Sequence, residues 1–165
     1  MSHKCFISYH AADKKAVDDF CEEFSGSFIR RGITIEEDII NSDNTDYVMR
    51  RIRELYLKDS TVTIVLIGKC TWARRFVDWE VQASLRNPKD GHPNGLVAIQ
   101  LWKSYNTLPN RVKLNVDSGY AKVYEYPSSS SSLAKIIDEA WNARFDKDEL
   151  IENPRERYTY NRHCE

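Results

Sequence analysis

Short continuous apolar runs alternate along this chain with longer stretches in which apolar residues recur every three or four positions. The first pattern marks buried strands and the second amphipathic helices. "KCFIS" (4–8) is the first run, and "YHAAD" breaks it, with Asp13 placed to cap a following helix. In "KKAVDDFCEEFSGSFIRRG", Val17, Phe20, Cys21 and Phe24 keep helical spacing, so one helix is expected over 14–32 with Gly32 ending it. "ITIEED" (33–38) reads as a second, shorter strand. Ser42 to Thr45 offer caps to a helix that carries Val48, Ile52, Leu55 and Tyr56 on one face.

"TVTIVLIG" (61–68) is β-branched and unbroken by polar residues, the mark of a central parallel strand covered on both faces. A helix over 74–85 follows and ends at the breakers "NPKDGHPNG". "LVAIQLW" (96–102) is a further apolar strand. The polar stretch 103–120, with Pro109 and Asn110, reads as a long loop, either a lid or plain surface. "AKVYEY" (121–126) makes a fifth strand. The five serines 128–132 form a flexible lead-in and N-cap to a last helix with Leu133, Ile136, Ile137, Ala140 and Trp141 on one face.

Five short strands, each followed by a helix or loop, imply an α/β domain: an open five-stranded parallel sheet with helices on both faces. The domain is expected over residues 1–146. A polar tail over 147–165 is expected to be disordered or to cover an edge with Tyr158 and Tyr160. Ligands of such sheets bind outside the carboxyl ends of the strands. That rule selects the loops 8–14, 37–46 and 68–76.

Composition narrows the function. The 165 residues suit one domain with a proper core, and 41% apolar with 30% charged residues suit a soluble globular chain. A formal charge of −1 gives no global footprint for nucleic acid. Arg50, Arg51 and Arg53 form a basic cluster, but Glu54 and Asp59 follow closely, and a solvated helix face is expected. Cys5, Cys21, Cys70 and Cys164 have no paired spacing, and Cys5 and Cys70 lie in or beside apolar runs, as free buried thiols do. No zinc or other metal site is expected. Without a leader or a membrane-length apolar stretch, the expected compartment is the cytoplasm.

Helix 74–85 holds an anomaly. Asp78, Gln82 and Arg86 share one side, Phe76, Trp79 and Ala83 form one apolar cluster, and Val77, Val81 and Leu85 form another. Glu80 and Ser84 sit between the clusters, inside the apolar arc. The bland alternative is a solvated carboxylate favoured by the helix dipole, with Arg74 or Arg75 pairing to Asp78. No GxGxxG, GxxxxGK[ST] or GxSxG occurs. What the selected loops do hold is Ser8, Tyr9 and His10, then Glu37 and Asp38, then Trp72, Arg74, Arg75 and Phe76. Aromatic rings stack on bases, arginines pair with pyrophosphate, and carboxylates accept hydrogen bonds from ribose hydroxyls.

With these residues in view, the chain resembles a Toll/interleukin receptor (TIR) domain, specifically the TIR-like branch of bacterial Thoeris antiphage defence. "CFISYH", which contains Phe6, is similar to the family's opening box. "TVTIVLIGKCTWARRFVDWEV" is similar to its strand, short loop and S/T-x-x-W-x-x-x-E junction into a helix. The resemblance spans roughly residues 4 to 145 and implies a flavodoxin-like fold. It puts the family's catalytic glutamate on Glu80, with Phe76 where many enzymatic members have tryptophan.

The resemblance further implies cleavage of the nicotinamide–ribose bond of NAD, giving free, cyclised or conjugated ADP-ribose. NAD enters as substrate. Glu80 would stabilise the oxocarbenium-like sugar. Phe76, Trp72 and Tyr9 would enclose a base, and Arg74, Arg75 and the Ser8 backbone would hold phosphate. Phe6, His10, Glu37 and Asp38 complete the candidate set, although Phe6 equally suits the core. Implied partners are a second copy of the chain, needed to assemble the site, and a separate effector that senses the product. The other reading is a non-catalytic adaptor acting by self-association.

Overall fold

The computed structural model describes residues 2–31, 44–88, 91–102 and 105–164, apart from the side chains of 55 and 56. Strands His3–Ser8 (β1), Phe28–Arg31 (β2), Val62–Ile67 (β3), Gly95–Gln100 (β4) and Lys122–Tyr124 (β5) form one sheet. Their order is β2-β1-β3-β4-β5 and every neighbouring pair is parallel. This is the flavodoxin-like arrangement, with its switch point between β1 and β3. Ser8 pairs with Val65 while β3 and β4 stay paired as far as Ile67 and Gln100. β1 therefore stops two residues short of β3, which leaves a notch at the carboxyl end of the switch point.

Alternation along the strands sorts side chains between two layers of helices. Cys5, Ile7, Ile64, Leu66, Val97 and Ile99 pack with Val17 and Phe20 of Lys14–Glu23 (α1) and with Leu133, Ile137 and Ala140 of Ser130–Asp146 (α5). Across the sheet, Phe6 joins Val48 and Met49 of Thr45–Arg51 (α2) and Trp79 and Ala83 of Arg75–Leu85 (α3). Val65, Ile67, Leu96 and Ala98 pack with Val77, Val81 and Leu85 and with Val112 of Asn110–Ser118 (α4). Each fully buried side chain of this size contributes about 2 kcal/mol relative to exposure.

Two segments depart from the sequence reading. The first helix ends at Glu23 instead of Gly32, and Phe28–Arg31 is the edge strand β2. Phe28 lies four residues after Phe24, so its burial satisfies helix and strand periods alike. The strand expected over 33–38 lies outside the described residues. The second departure is α4, inside the stretch read as a loop. Pro109 stands at its N-cap and Gly119, with φ of 92°, follows its last residue. Its buried face includes Arg111 and Asn115, so the apolar period is masked by polar residues that find internal partners.

The caps follow the expected chemistry. Asn44 accepts a 3.1 Å bond from the Tyr47 N–H, and Ser129 does the same for Ser132, so three of the five serines lie in α5 itself. Asp13 does not cap α1 with its side chain. Cys70 is not a free thiol. It is joined to Cys164, with Cα atoms 5.7 Å apart, while Cys5 and Cys21 remain free. Ninety-four positions separate the bonded pair, so no local spacing announces it. Among the described residues no helix is long and apolar enough to cross a membrane.

The stretch after α5 runs back across α4 and α3 and is bonded along its length. Arg111, 4% exposed in its side chain, pairs with Asp78 at 2.9 Å and donates to Asn153 Oδ1 and to the carbonyls of Pro154 and Glu156. Asn115 donates to the Glu152 carbonyl and accepts from its N–H. Trp79 Nε1 donates to the Tyr158 carbonyl at 2.7 Å, and the Arg162 N–H donates to Ala73. Tyr160 stays 60% exposed.

Candidate active site

The odd members of α3 lie where the helical wheel puts them. Phe76, Trp79 and Ala83 pack toward Phe6 and α2, while Val77, Val81 and Leu85 pack toward β3 and β4. Glu80 and Ser84 fill the seam between, 3% and 4% exposed. The solvated reading of Glu80 is thereby excluded. Ser84 donates to the Glu80 carbonyl at 2.9 Å and is bonded to Thr63 Oγ1 at 2.7 Å. Asn94 in turn donates to Thr63, which anchors this helix face to β3.

Glu80 points at the end of β1. The Ser8 hydroxyl donates a 2.7 Å hydrogen bond to Glu80 Oε1, and Ser8 is itself fully buried. Burial pushes the Glu80 carboxyl up from its usual 4.5 to about 8, and the Ser8 bond opposes this in part. At neutral pH the resting group is therefore largely protonated. A carboxyl so placed ionises easily once a cation enters beside it, because opposite charge and desolvation act in contrary directions on its pKa.

A second cluster gathers at the same sheet end. Asp13 leaves the first loop and lies against Gly68, just past β3. A Cβ at Gly68 would meet the Asp13 carboxylate, with its Cγ only 2.8 Å away, so any larger residue there would displace that carboxylate. Asp13 Oδ2 is buried without a hydrogen-bond partner. Burial raises the Asp13 pKa and the neighbouring His10 opposes the shift. His10 is lowered, first by burial, then by Arg74, with Asp13 acting against them. Thr71 Oγ1 accepts from the Gly68 N–H at 2.8 Å and shapes the turn that brings Arg74 to the start of α3.

The structure thus brings together Ser8 with Glu80, and His10 with Asp13 and Arg74. It does not gather every candidate. Tyr9 packs on the opposite layer, with α1 and α5, because it follows Ser8 by one residue and side chains alternate. Phe6 is 1% exposed and belongs to the core against Trp79. Phe76 is partly buried beside Trp79, with ring centroids 6.3 Å apart. Arg75 is turned to the tail: its guanidinium donates to the Thr159 carbonyl and lies 5.4 Å from the Trp79 ring, and its N–H donates to Asn161. Trp72 is half-buried in the short helical turn before α3. Glu37 and Asp38 lie outside the described residues.

Sequence reasoning took Asp13 for a cap, since position before a helix was the signal at hand and contact with Gly68 was not. It also offered Arg74 or Arg75 as partners of Asp78, which instead is 5% exposed and held by Arg111. Among the described residues no group of three or more His, Cys, Asp and Glu side chains is placed to hold a metal ion.

What the arrangement offers chemically is a buried, switchable carboxyl with a hydroxyl donor beside it at the switch point of a parallel sheet. The chain matches no curated protein. The sequence model described as Thoeris protein ThsB, TIR-like domain, matches residues 6–106, and this stretch runs from Phe6 through Ser8, His10, Gly68 and Glu80. The chain belongs to the Thoeris ThsB TIR-like family, a branch of TIR domains in antiphage defence.

Proposed function

We propose that this TIR-like domain cleaves the nicotinamide–ribose bond of NAD and releases an ADP-ribose-derived, cyclic signal nucleotide that a separate effector reads. The observation that carries the reading is Glu80: wholly buried, mid-helix, and bonded to Ser8 at the carboxyl edge of the sheet. A structural carboxylate has little reason to occupy an apolar seam, where ionisation is disfavoured.

In the proposed reaction the C1′–N bond breaks heterolytically. The electron pair passes to the nicotinamide nitrogen, whose positive charge is neutralised as it leaves, and the ribose is left as an oxocarbenium ion. The approaching pyridinium ring draws Glu80 into its ionised form, and the carboxylate then stabilises the sugar cation electrostatically. Ser8 holds the carboxylate by its hydroxyl. Attack of an adenine nitrogen on C1′ closes the ring, whereas attack of water gives ADP-ribose and a proton. In this reading Arg74, whose charge acts on His10 at the same sheet end, pairs with the pyrophosphate. A second copy of the chain completes the substrate enclosure. No metal is required.

Non-catalytic assembly is the competing reading, and it draws on Phe76, which packs beside Trp79 where enzymatic relatives carry tryptophan. Nicotinamide release decides between them, measured by chromatography with concentrated purified protein and with lysate of phage-challenged cells that express it. Release by the wild type and none by Glu80→Gln supports the enzyme, and the companion product peak names the reaction. No release from either preparation by a folded, self-associating protein supports the adaptor.

A further inference from the structure

At the amino end of the sheet, away from Glu80, a cleft of about 320 Å³ opens between the helical stretch Ile52–Leu57 that continues α2, the end of α3 and the approach to β4. Arg53 lines it from the stretch Ile52–Leu57 and Lys58 from just past its end, Ser84 and Arg86 from the end of α3, and His92 and Asn94 from the approach to β4. Four of these six side chains are basic, and no carboxylate is among the described lining residues. On a chain of net charge −1 this is a local concentration of one sign.

The acids that neighbour these cations in sequence are committed elsewhere. Glu54 is bonded to Arg51 at 3.3 Å, and Asp59 is held by both Lys4 and Arg31. Neither Arg53 nor Arg86 has an ion pair among the described residues. The sequence suggested a solvated helix face for Arg50, Arg51 and Arg53. In the fold Arg53 is half-buried, and its pKa is lowered by burial first and then by Arg86, with Glu54 opposing and Arg50 and Arg157 adding to the repulsion. The α3 carboxyl end favours Arg86 by a few tenths of a kcal/mol at most, and that effect fades beyond one turn, so Glu54, shared with Arg51, is the acid that acts on Arg53, against burial and three arginines.

We propose that this cleft is a binding site for a small soluble phosphate-bearing anion, with Arg53 and Arg86 as the paired phosphate donors. Guanidinium forks match phosphate oxygens in bidentate geometry, and like charges held together without a counter-ion gain most from a shared anion. The volume admits a diphosphate with part of a sugar. The floor is rigid: Asn94 donates to Ser60 and Thr63, Thr63 is bonded to Ser84, and the Asn94 carbonyl accepts from Tyr120. His92 is held edge-on by Phe145, with ring centroids 4.4 Å apart, so its ring stands ready at the rim. The site is independent of the chemistry proposed for Glu80.

Titration of the ¹⁵N-labelled full chain with inorganic pyrophosphate, followed by amide NMR, tests the site. Saturable shifts are expected at Ser84, Arg86 and Asn94, with affinity falling at least tenfold in Arg53→Ala/Arg86→Ala and unchanged in the exposed control Lys113→Ala. Both arginines are at least partly exposed and make no ion pair, so the double variant is expected to fold, and the dispersion of its spectrum checks this. Absence of saturable shifts overturns the proposal, as does binding unaffected by the double substitution. A third arm uses a short single-stranded oligonucleotide. If it binds more tightly than pyrophosphate with the same arginine dependence, the site reads nucleic acid and the small-anion proposal fails.

Discussion

The Ser8 hydroxyl donates to Glu80 Oε1 at 2.7 Å, joining the last residue of β1 to the middle of α3 across 72 positions of sequence. The bond and its surroundings act on Glu80 in opposite senses. Hydrogen bonding favours the carboxylate, burial favours the acid, and burial wins, leaving the group near pH 8. A carboxyl balanced this way reports its state through stability and, in the proposed reaction, through activity.

Stability comes first. Below about pH 4.5 Glu80 is neutral in the folded and unfolded chain alike, and it imposes no penalty. Between 4.5 and about 8 the unfolded chain ionises while the folded one keeps its proton, so the contribution of Glu80 to stability is lost progressively as pH rises. Above 8 the deficit is constant, on the order of 5 kcal/mol for a shift of this size. Glu80→Gln is therefore expected to melt near the wild-type temperature at pH 4.5 and well above it at pH 8.5. Parallel melting curves across that range would show that Glu80 does not titrate with a raised pKa.

Removing the hydroxyl separates the two influences. In Ser8→Ala burial acts on Glu80 without opposition, so its pKa moves higher still. Nicotinamide release, if Glu80 acts as an anion, then rises with pH along a limb displaced upward, and the rate at neutral pH falls several-fold. Loss of one buried hydrogen bond costs about 1–3 kcal/mol in addition. An unmoved pH limb with the same loss of stability would mean that Ser8 supports the fold alone. Ser8→Thr, which keeps the hydroxyl, is expected to restore the limb.

How much of this was readable beforehand depends on whether a signal was local. β3 and β4 are unbroken apolar runs, and α3 keeps two clean apolar clusters, so the parallel sheet and the inward Glu80 were legible from spacing. β2 was not, because Phe28 satisfies helical and strand periods equally and only pairing with β1 separates them. α4 was hidden because Arg111 and Asn115 face inward and are satisfied by the tail, a partner about 40 residues away. The placement of Asp13 against Gly68 and the Cys70–Cys164 bond are likewise relationships between distant segments. Tyr9 stands one position past Ser8 and so packs on the other face, a placement that strand alternation determines.

Asp78 and Arg111 connect the tail to α3, the helix that carries Glu80. Their side chains are 7% and 4% exposed, and Asp78 also accepts from the Tyr158 N–H at 2.9 Å. Removing one partner of a buried pair leaves an uncompensated charge and costs about 3–5 kcal/mol. Arg111→Met is expected to lose that much by chemical denaturation and to release residues 153–158 to protease. Asp78→Asn keeps the shape and one acceptor, yet leaves the guanidinium unpaired, so it is expected to lose nearly as much. A cost under about 1 kcal/mol for both would show that the tail carbonyls alone hold Arg111.

The disulfide pins the far end of the same tail to the loop that leads into α3. Cys70 lies two residues after Gly68, and Arg162, two residues before Cys164, donates its N–H to Ala73 in that loop. Closing a loop of this length restricts the unfolded chain by about 4–5 kcal/mol on the chain-entropy argument. Reduction, or Cys164→Ser, is thus expected to lower the melting temperature without unfolding the domain, since Arg111, Asn115 and Trp79 still hold residues 152–158. The local effect is sharper. The Arg162 amide loses its anchor and exchanges with solvent at least tenfold faster, while the Glu152 amide, bonded to Asn115, stays protected. Equal protection of Arg162 in the oxidised and reduced protein would mean that hydrogen bonds, not the disulfide, fasten the tail to the loop before α3.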